Sequence, residues 1–180
     1  MKKLKLLGFL FAAISLLVLG SNSPEAYAAE SNIIEAEFDL SKNEPQEVTY
    51  VNEDGEEVTI SIEPVEDGPI SLNSHTFPYG TTRYAVRATS GYTTMGFDVN
   101  VYVPSDINQS RFIWVGEKYF HSVTGYLTND AFTPDPTQLT NGNYKEVKYS
   151  GQYVILGIGS ATAWTKATLD KNVLTISASL

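Results

Sequence analysis

The chain has 180 residues, with 12 Lys and Arg against 21 Asp and Glu, 12% aromatic residues and no cysteine. Without residues 1–28 it keeps 9 basic and 20 acidic side chains, a formal net charge of −11. Phosphate backbones and anionic membranes are bound through clustered Lys and Arg, so this composition excludes nucleic acid and argues against an anionic membrane as a partner.

The N-terminus has the three parts of a secretory signal peptide. Three lysines within residues 2–5 precede an apolar run over 6–20, and Ala26-Tyr27-Ala28 matches an A-x-A cleavage site. An uncleaved anchor is the alternative, but the run is shorter than the roughly 18 residues that a spanning helix needs. We predict a signal peptide at 1–28 and one secreted, extracellular domain at 29–180, with no membrane contact after cleavage.

The exported domain must be stabilised by its core alone, because it has no cysteine to form disulfides. Its 152 residues are enough, since a chain near that size buries roughly 68–70% of its unfolded surface. Its charge is uneven: residues 29–67 hold 13 acidic residues against the single Lys42, whereas 68–180 hold 7 acidic against 8 basic.

Two alternating runs near the start of this domain, QEVTYVN and EVTISIEP, predict a β-hairpin. They flank an Asp-Gly pair, the strongest short-range signal for a hairpin turn. Four carboxylates crowd the tip, at Glu53, Asp54, Glu56 and Glu57. The ligand order of an EF-hand is missing, so we interpret the tip as solvated, with calcium binding as the alternative.

The clearest strand of the chain is 94–104, read TMGFDVNVYVP. Apolar residues fall on one face and Asp98, Asn100 and Tyr102 on the other, which predicts a core strand with its second face in water. The preceding run alternates as well and places Arg83 and Arg87 across from this polar face. We expect these charges to be satisfied by cross-strand pairing rather than by a ligand.

Two long segments lack a strand pattern and are predicted to be loops. Residues 65–81 contain His75, Phe77 and Tyr79, and residues 129–143 contain Asp130, Phe132 and Asp135. A connection this long inside a compact domain is usually functional or disordered. These six residues are therefore our candidate ligand-binding residues.

The remaining segments are short strands with turn signals between them, and no helical period is evident. The pattern predicts an all-β fold, an antiparallel β-sandwich of roughly eight to ten strands, immunoglobulin-like or jelly-roll-like. A small β-barrel is the alternative. The glycines and alanine of GIGSA, 157–161, are interpreted as marking a strand that a neighbouring sheet or Trp164 approaches closely.

No catalytic, metal or cofactor signature stands out, so we predict that the protein is not an enzyme and binds no cofactor or metal. His75 has only Ser71 or Ser74 nearby as a nucleophile and no orienting Asp, and His121 alternates as a surface residue. Two isolated histidines are too few for zinc. Carboxylate pairs such as Asp98 with Glu117, or Asp130 with Asp135, occur in any acidic protein.

Two stretches carry a resemblance to known proteins: FDLSKNEPQEVTYVNEDGEEVTISIEP and ATLDKNVLTIS. With them the chain resembles a family of small secreted proteins of Gram-positive bacteria, known as a domain of unknown function, over about residues 37–177. The resemblance implies export and a compact β fold, and it carries over no catalytic residue.

These observations favour a non-enzymatic extracellular module that binds a protein or glycan through its loops or an aromatic face. Tyr and Trp on a rigid β scaffold suit sugar rings and protein interfaces alike. A secreted toxin or bacteriocin-like effector is the first alternative. An unrecognised hydrolase, with Asp130, Asp135 or His75 in one pocket, is the second.

Overall fold

The computed structural model describes residues 33–52, 55–65, 80–139 and 142–180, all within one compact unit, Ser31–Leu180. The signal peptide predicted at 1–28 lies outside them. The described residues form ten strands: β1 Ile34–Asp39, β2 Gln46–Val51, β3 Glu57–Pro64, β4 Gly80–Ser90, β5 Thr93–Val103, β6 Arg111–Ser122, β7 Gly125–Thr133, β8 Glu146–Ile155, β9 Gly159–Asp170 and β10 Val173–Ser179. A one-turn helix, α1 Pro136–Leu139, and two 3₁₀ turns, Leu40–Lys42 and Ile107–Gln109, complete them. Among the described residues, no helix has the length and apolar character needed to cross a membrane.

The strands form two antiparallel five-stranded sheets. Sheet I has the order β1-β10-β9-β8-β7, and sheet II has the order β2-β3-β4-β5-β6. The predicted all-β sandwich is confirmed, and the described strands do not close into the alternative barrel. The chain enters through one strand of sheet I, builds all of sheet II and returns to complete sheet I, so β6 and β7 are joined across one edge of the sandwich.

Alternation along each strand explains how the two sheets pack. The apolar side chains of β5, from Met95 to Val103 at every second position, are almost fully buried, as predicted for 94–104. Strand β5 pairs with both β4 and β6 and is therefore interior, although it is next to an edge strand. Sheet I supplies Phe38, Leu169 and Ile176 to the same hydrophobic core.

The prediction of a loop at 129–143 is wrong for its first part. Residues 129–133 belong to β7, and 136–139 form α1. The pairing of β7 with β8 shifts register between Thr128 and Ala131, where Asn129 has a left-handed φ of 51°. This bulge adds a residue to the strand and breaks the period of two, which hid the strand in the sequence. A single helical turn is too short to show a helical period.

Two further boundaries differ from the sequence prediction. Gly80 and Thr81, assigned to the first long loop, open β4. The GIGSA stretch is the tip of the β8–β9 hairpin, because Gly157 and Gly159 have positive φ values of 80° and 151° that let the chain reverse there. Its glycines therefore mark a turn rather than a close approach between sheets.

The antiparallel pairing sorts the connections between the two ends of the sandwich. The β2–β3, β4–β5 and β8–β9 hairpins and the β6–β7 turn between the sheets lie at one end, which we call the tip end: Val58 pairs with Ser90, Thr93 with Ser122, and Gly125 with Ile155. At the other end, which we call the loop end, lie the strand ends at Pro64 and Gly80 and the β5–β6, β7–β8 and β9–β10 connections.

Candidate functional site

Asp130, one of the predicted ligand-binding residues, is paired with residues of the domain itself. Its Oδ2 lies 2.7 Å from Nζ of Lys118 on β6, and the same Nζ donates to the Asp130 carbonyl oxygen at 3.1 Å. The hydrogen bond from Lys118 holds the pKa of Asp130 below its usual value. Burial raises the pKa of the neighbouring Tyr149, and the negative charge of Asp130 raises it further. Asp130 therefore acts as an ion-pair partner that links the edge strands of the two sheets.

Phe132 and Asp135 occupy different environments from each other. Phe132 faces the core, edge-on to Phe97 at a ring separation of 5.7 Å and tilted against Tyr149 at 5.3 Å. Asp135 is exposed at the start of α1, where its Oδ1 accepts hydrogen bonds from N and Oγ1 of Thr137 at 2.9 and 2.6 Å. These bonds lower the pKa of Asp135. The proposed carboxylate pair of Asp130 and Asp135 is thus divided between separate partners.

The other predicted site residues, His75, Phe77 and Tyr79, lie outside the described residues, together with Ser71 and Ser74. His121 is exposed on β6, as expected for a surface residue. Among the described residues, no group of three or more His, Cys, Asp or Glu side chains is placed to hold a metal ion. Glu53 and Asp54 of the acidic hairpin tip are also outside the described residues.

Asp98 confirms the predicted pairing with Arg83 and Arg87 but is buried rather than turned to water. Its Oδ2 accepts from Arg83 at 2.9 Å and its Oδ1 from Arg87 at 3.0 Å, and its side chain is 8% exposed. Glu117, the other acid of the second carboxylate pair, is 3.9 Å from Arg83 and largely exposed. Tyr102 lies instead under the guanidinium of Arg111, at 4.6 Å from the ring centre.

Aromatic rings cover this polar cluster and explain its burial. Arg83 stacks on Trp114 and Arg87 on Tyr119, each with 4.9 Å between the guanidinium carbon and the ring centre. Arg87 also donates to the carbonyl oxygens of Val86 and Phe97, next to a bulge between β5 and β6. The outer face of β5 around Asp98 is therefore covered by side chains of β4 and β6, and removal of Asp98 would leave both arginines without their partner.

Asn100 follows a different pattern from Asp98 on the same face. It lies across from Arg83 on β4 and Trp114 on β6. Its Oδ1 is buried, and no hydrogen-bond partner for it is found among the described residues. The predicted pairing of Asn100 with the arginines is thus one of register and not of hydrogen bonding.

Apolar side chains exposed at the tip end form the second candidate site. Among the described residues, six exposed large hydrophobic residues lie at the four turns of the tip end or within two residues of them. We call these six residues the tip patch: Val51 (66% exposed), Tyr92 (76%), Val123 (65%), Tyr126 (51%), Leu156 (68%) and Ile158 (83%). Turns normally carry polar residues, whereas single apolar residues scattered over a surface are common. The presence of six exposed apolar residues at the turns of one end of the sandwich is therefore unusual and points to a contact surface.

A network of hydroxyl groups connects three of these turns, β4–β5, β6–β7 and β8–β9. The Tyr153 hydroxyl lies 3.2 Å from Oγ1 of Thr93, 2.7 Å from Oγ of Ser122 and 2.5 Å from Oγ1 of Thr124. Burial raises the pKa of Tyr153, but these hydrogen bonds outweigh it and leave the pKa below its ordinary value. The backbone N–H of Leu156 also donates to the Thr124 carbonyl at 3.1 Å. These hydrogen bonds join the turns that carry Tyr92, Val123, Leu156 and Ile158 into one rigid frame.

The β2–β3 hairpin adds negative charge beside the tip patch. Glu56 and Glu57 are exposed at the β2–β3 tip, and Oγ of Ser90, next to the β4–β5 turn, donates to Glu56 Oε2 at 3.5 Å. The sequences of the four tips, 51–57, 90–93, 122–126 and 155–160, contain no Lys or Arg. The tip end is thus apolar with an acidic flank.

Sequence reasoning missed the tip patch, although one signal was present. Tyr92 follows Gly91, and Leu156 and Ile158 alternate with Gly157 and Gly159. Tyr92 was assigned to a turn, whereas Leu156 and Ile158 were interpreted as parts of a strand, and their exposure follows only once Gly157 and Gly159 are known to form a turn.

No family model matches the chain, and no curated protein matches it. One solved structure that is similar in fold is a hypothetical protein from Listeria monocytogenes, a Gram-positive bacterium, with 20% sequence identity and a TM-score of 0.44. The match covers 78% of this chain and 99% of that one. The resemblance to a family of small secreted proteins therefore stays a prediction.

Proposed function

We propose that the protein is a secreted, non-enzymatic module that binds an extracellular protein or glycan through the tip patch. The observation that carries this proposal is that five of the six exposed apolar side chains of the tip patch lie at three turns that share one hydroxyl network, with Val51 beside the neighbouring β2–β3 turn. Tyr92 and Tyr126 are of the residue type that is enriched in binding interfaces.

The exposed apolar side chains can supply a substantial part of the free energy of association. Complete burial of a Val, Leu or Ile side chain contributes about 1.5–3 kcal/mol, so the four such residues of the patch, Val51, Val123, Leu156 and Ile158, can contribute at most roughly 6–12 kcal/mol. Association costs about 4–15 kcal/mol in lost translational and rotational freedom. A frame that is already rigid loses little further entropy when it binds, which favours this use of the tip end.

The environments of the acidic candidates support the non-enzymatic part of the proposal. A general acid in glycoside hydrolysis needs a raised pKa, whereas the pKa values of Asp130 and Asp135 are both lowered. Asp130 is tied to Lys118, and Asp135 binds the first turn of α1. Neither carboxylate is arranged to transfer a proton to a substrate.

The test is a selection from a phage library of random peptides, carried out on the domain 29–180. The double variant Leu156→Asp with Ile158→Asp is not used during the selection and is tested afterwards against the enriched peptides. Ala131→Asp is the matched control, because it adds a carboxylate at an exposed position of β7 away from the tips. We expect enriched peptides to bind the wild type and the control and to lose binding to the double variant.

Two results would contradict the proposal. The first is that no peptide is enriched, or that enriched peptides bind the double variant as well as the wild type. The second is turnover of esters, peptides or glycans by the purified domain, with loss of that activity on substitution of His75 by Ala. Equal thermal unfolding midpoints for the three proteins would show that the substitutions leave the fold intact.

A further inference from the structure

We propose that the partner is a protein that presents an apolar surface with a rim of Lys and Arg, and that the acidic β2–β3 tip, Glu56 and Glu57, contacts this rim while the tip patch contacts the apolar surface. This inference rests on the proposed function and names the chemistry of its ligand. It follows from the position of the carboxylates relative to the apolar tips.

The β2–β3 turn fixes its acidic residues beside the β4–β5 hairpin. Asn52 Oδ1 accepts from the backbone N–H of Glu56 at 2.8 Å, and the Asn52 N–H donates to the Glu56 carbonyl at 2.9 Å. Next to this turn, Val58 pairs with Ser90, which is followed by Gly91 and Tyr92. The carboxylate of Glu56 therefore stands one strand away from an exposed apolar residue of the patch.

The charge at this end is of one sign. Among the described residues of the four tips, the charged side chains are Glu56 and Glu57, and both are exposed. Arg83 and Arg87 are held by Asp98 on the outer face of sheet II, and Lys118 is held by Asp130. Because clustered like charges focus a field over the neighbouring surface, the tip end attracts cationic surfaces and repels anionic ones.

This field argues against the other occupants of an apolar surface. A second copy of the chain supplies no Lys or Arg from its own tips for Glu56 and Glu57 to contact, and a docking that brought the two acidic tips together would be opposed by like charges. A bilayer rich in anionic lipid would also be repelled. An apolar protein surface with a basic rim satisfies both the apolar and the acidic part of the tip end.

The direct test uses three synthetic amphipathic helices of about 18 residues, roughly five turns. They share one leucine face, which is flanked by Lys in the first peptide, by Gln in the second and by Glu in the third. We expect the domain to bind the Lys-flanked peptide about tenfold more tightly than the Gln-flanked one, and the Glu-flanked peptide most weakly. Raising NaCl from about 0.05 M to about 0.5 M should remove this order, since the Debye length falls.

Variants separate the two parts of the surface. Glu56→Gln with Glu57→Gln should lower the tenfold preference for Lys to about threefold or less while leaving the affinity for the Gln-flanked peptide within about twofold. Leu156→Asp with Ile158→Asp should weaken binding of every peptide by at least about tenfold, because a carboxylate in an apolar contact must be desolvated. Ala131→Asp should change neither property.

The outcomes distinguish this inference from the function on which it rests. If binding needs Leu156 and Ile158 but is equal for the Lys-flanked and Gln-flanked peptides, the basic rim is wrong and the binding surface stands. If the double variant at the tip binds as the wild type does, both proposals fail. Tip-dependent binding to phosphatidylcholine vesicles with no peptide binding, or a tip-dependent dimer in sedimentation, would assign the patch to a neutral bilayer or a second copy and overturn the inference.

Discussion

Removal of the buried carboxylate of Asp98 is expected to destabilise the protein more than removal of any exposed charge. In Asp98→Ala, Arg83 and Arg87 both lose the oxygen that each approaches within 3.0 Å. Taking one partner out of a buried ion pair costs about 3–5 kcal/mol. The two arginine side chains are 22% and 27% exposed and regain some hydration, so we expect a loss of about 2–4 kcal/mol.

The assay is guanidinium chloride unfolding followed by tryptophan fluorescence, supported by thermal unfolding. For a chain of this size a loss of that order lowers Tm by roughly 4–16 °C. Asp98→Asn should have an intermediate effect, because the amide keeps one acceptor oxygen but turns a donor towards the second guanidinium. Glu117→Gln is the control, since this largely exposed side chain is 3.9 Å from the same Arg83 and should change stability by about 0.5 kcal/mol or less. An Asp98→Ala variant within about 1 kcal/mol of the wild type would refute the argument.

Three further predictions follow from other contacts. Asp130 has a lowered pKa in the folded state, so its contribution to stability is present above its unfolded pKa of about 3.9 and is lost as the pH falls through the folded value. The difference in unfolding free energy between wild type and Asp130→Asn, measured from pH 7 to pH 2, should therefore shrink below about pH 4. A constant difference would contradict this assignment. Gly96→Ala should cost at least about 3 kcal/mol in chemical unfolding, because the new Cβ would lie 2.0 Å from the Val86 carbonyl oxygen within sheet II, and a stable variant would show that β4 and β5 can separate. Tyr153→Phe should lower the free energy of unfolding by about 1–2 kcal/mol and speed amide hydrogen exchange at the β6–β7 turn, since three hydroxyl groups lose a shared partner. Unchanged exchange would show that the hydroxyl network does not fix the three turns relative to one another.

Much of the fold was predictable where apolar and polar residues alternate along a strand. The run 94–104 shows this best, because its alternating apolar residues are all in the core, although Asp98 on the other face is buried as well. The alternation is interrupted at Asn129, where the bulge moves the following residues to the opposite phase. A period of two cannot be recognised across an inserted residue, so a strand was interpreted as a loop and two of its residues as ligand contacts.

The candidate site was less predictable than the fold for a related reason. The sequence analysis selected polar and aromatic residues in segments without a strand pattern, among them Asp130 and Phe132. Whether a carboxylate is free depends on the residue that lies across from it, and Lys118 comes from a different strand. Leu156 and Ile158 were interpreted as strand residues, because the turn at Gly157 and Gly159 was not recognised.

By itself the sequence determined the class of fold, the net charge, the absence of disulfides and the face of β5 that enters the core. These properties follow from composition and from neighbours along the chain. Only the tertiary structure decided that Asp98 is buried between two arginines and that Leu156, Ile158, Tyr92 and Val123 share one end of the sandwich. Such groupings depend on strand order and hairpin position, which bring together residues that are far apart in sequence.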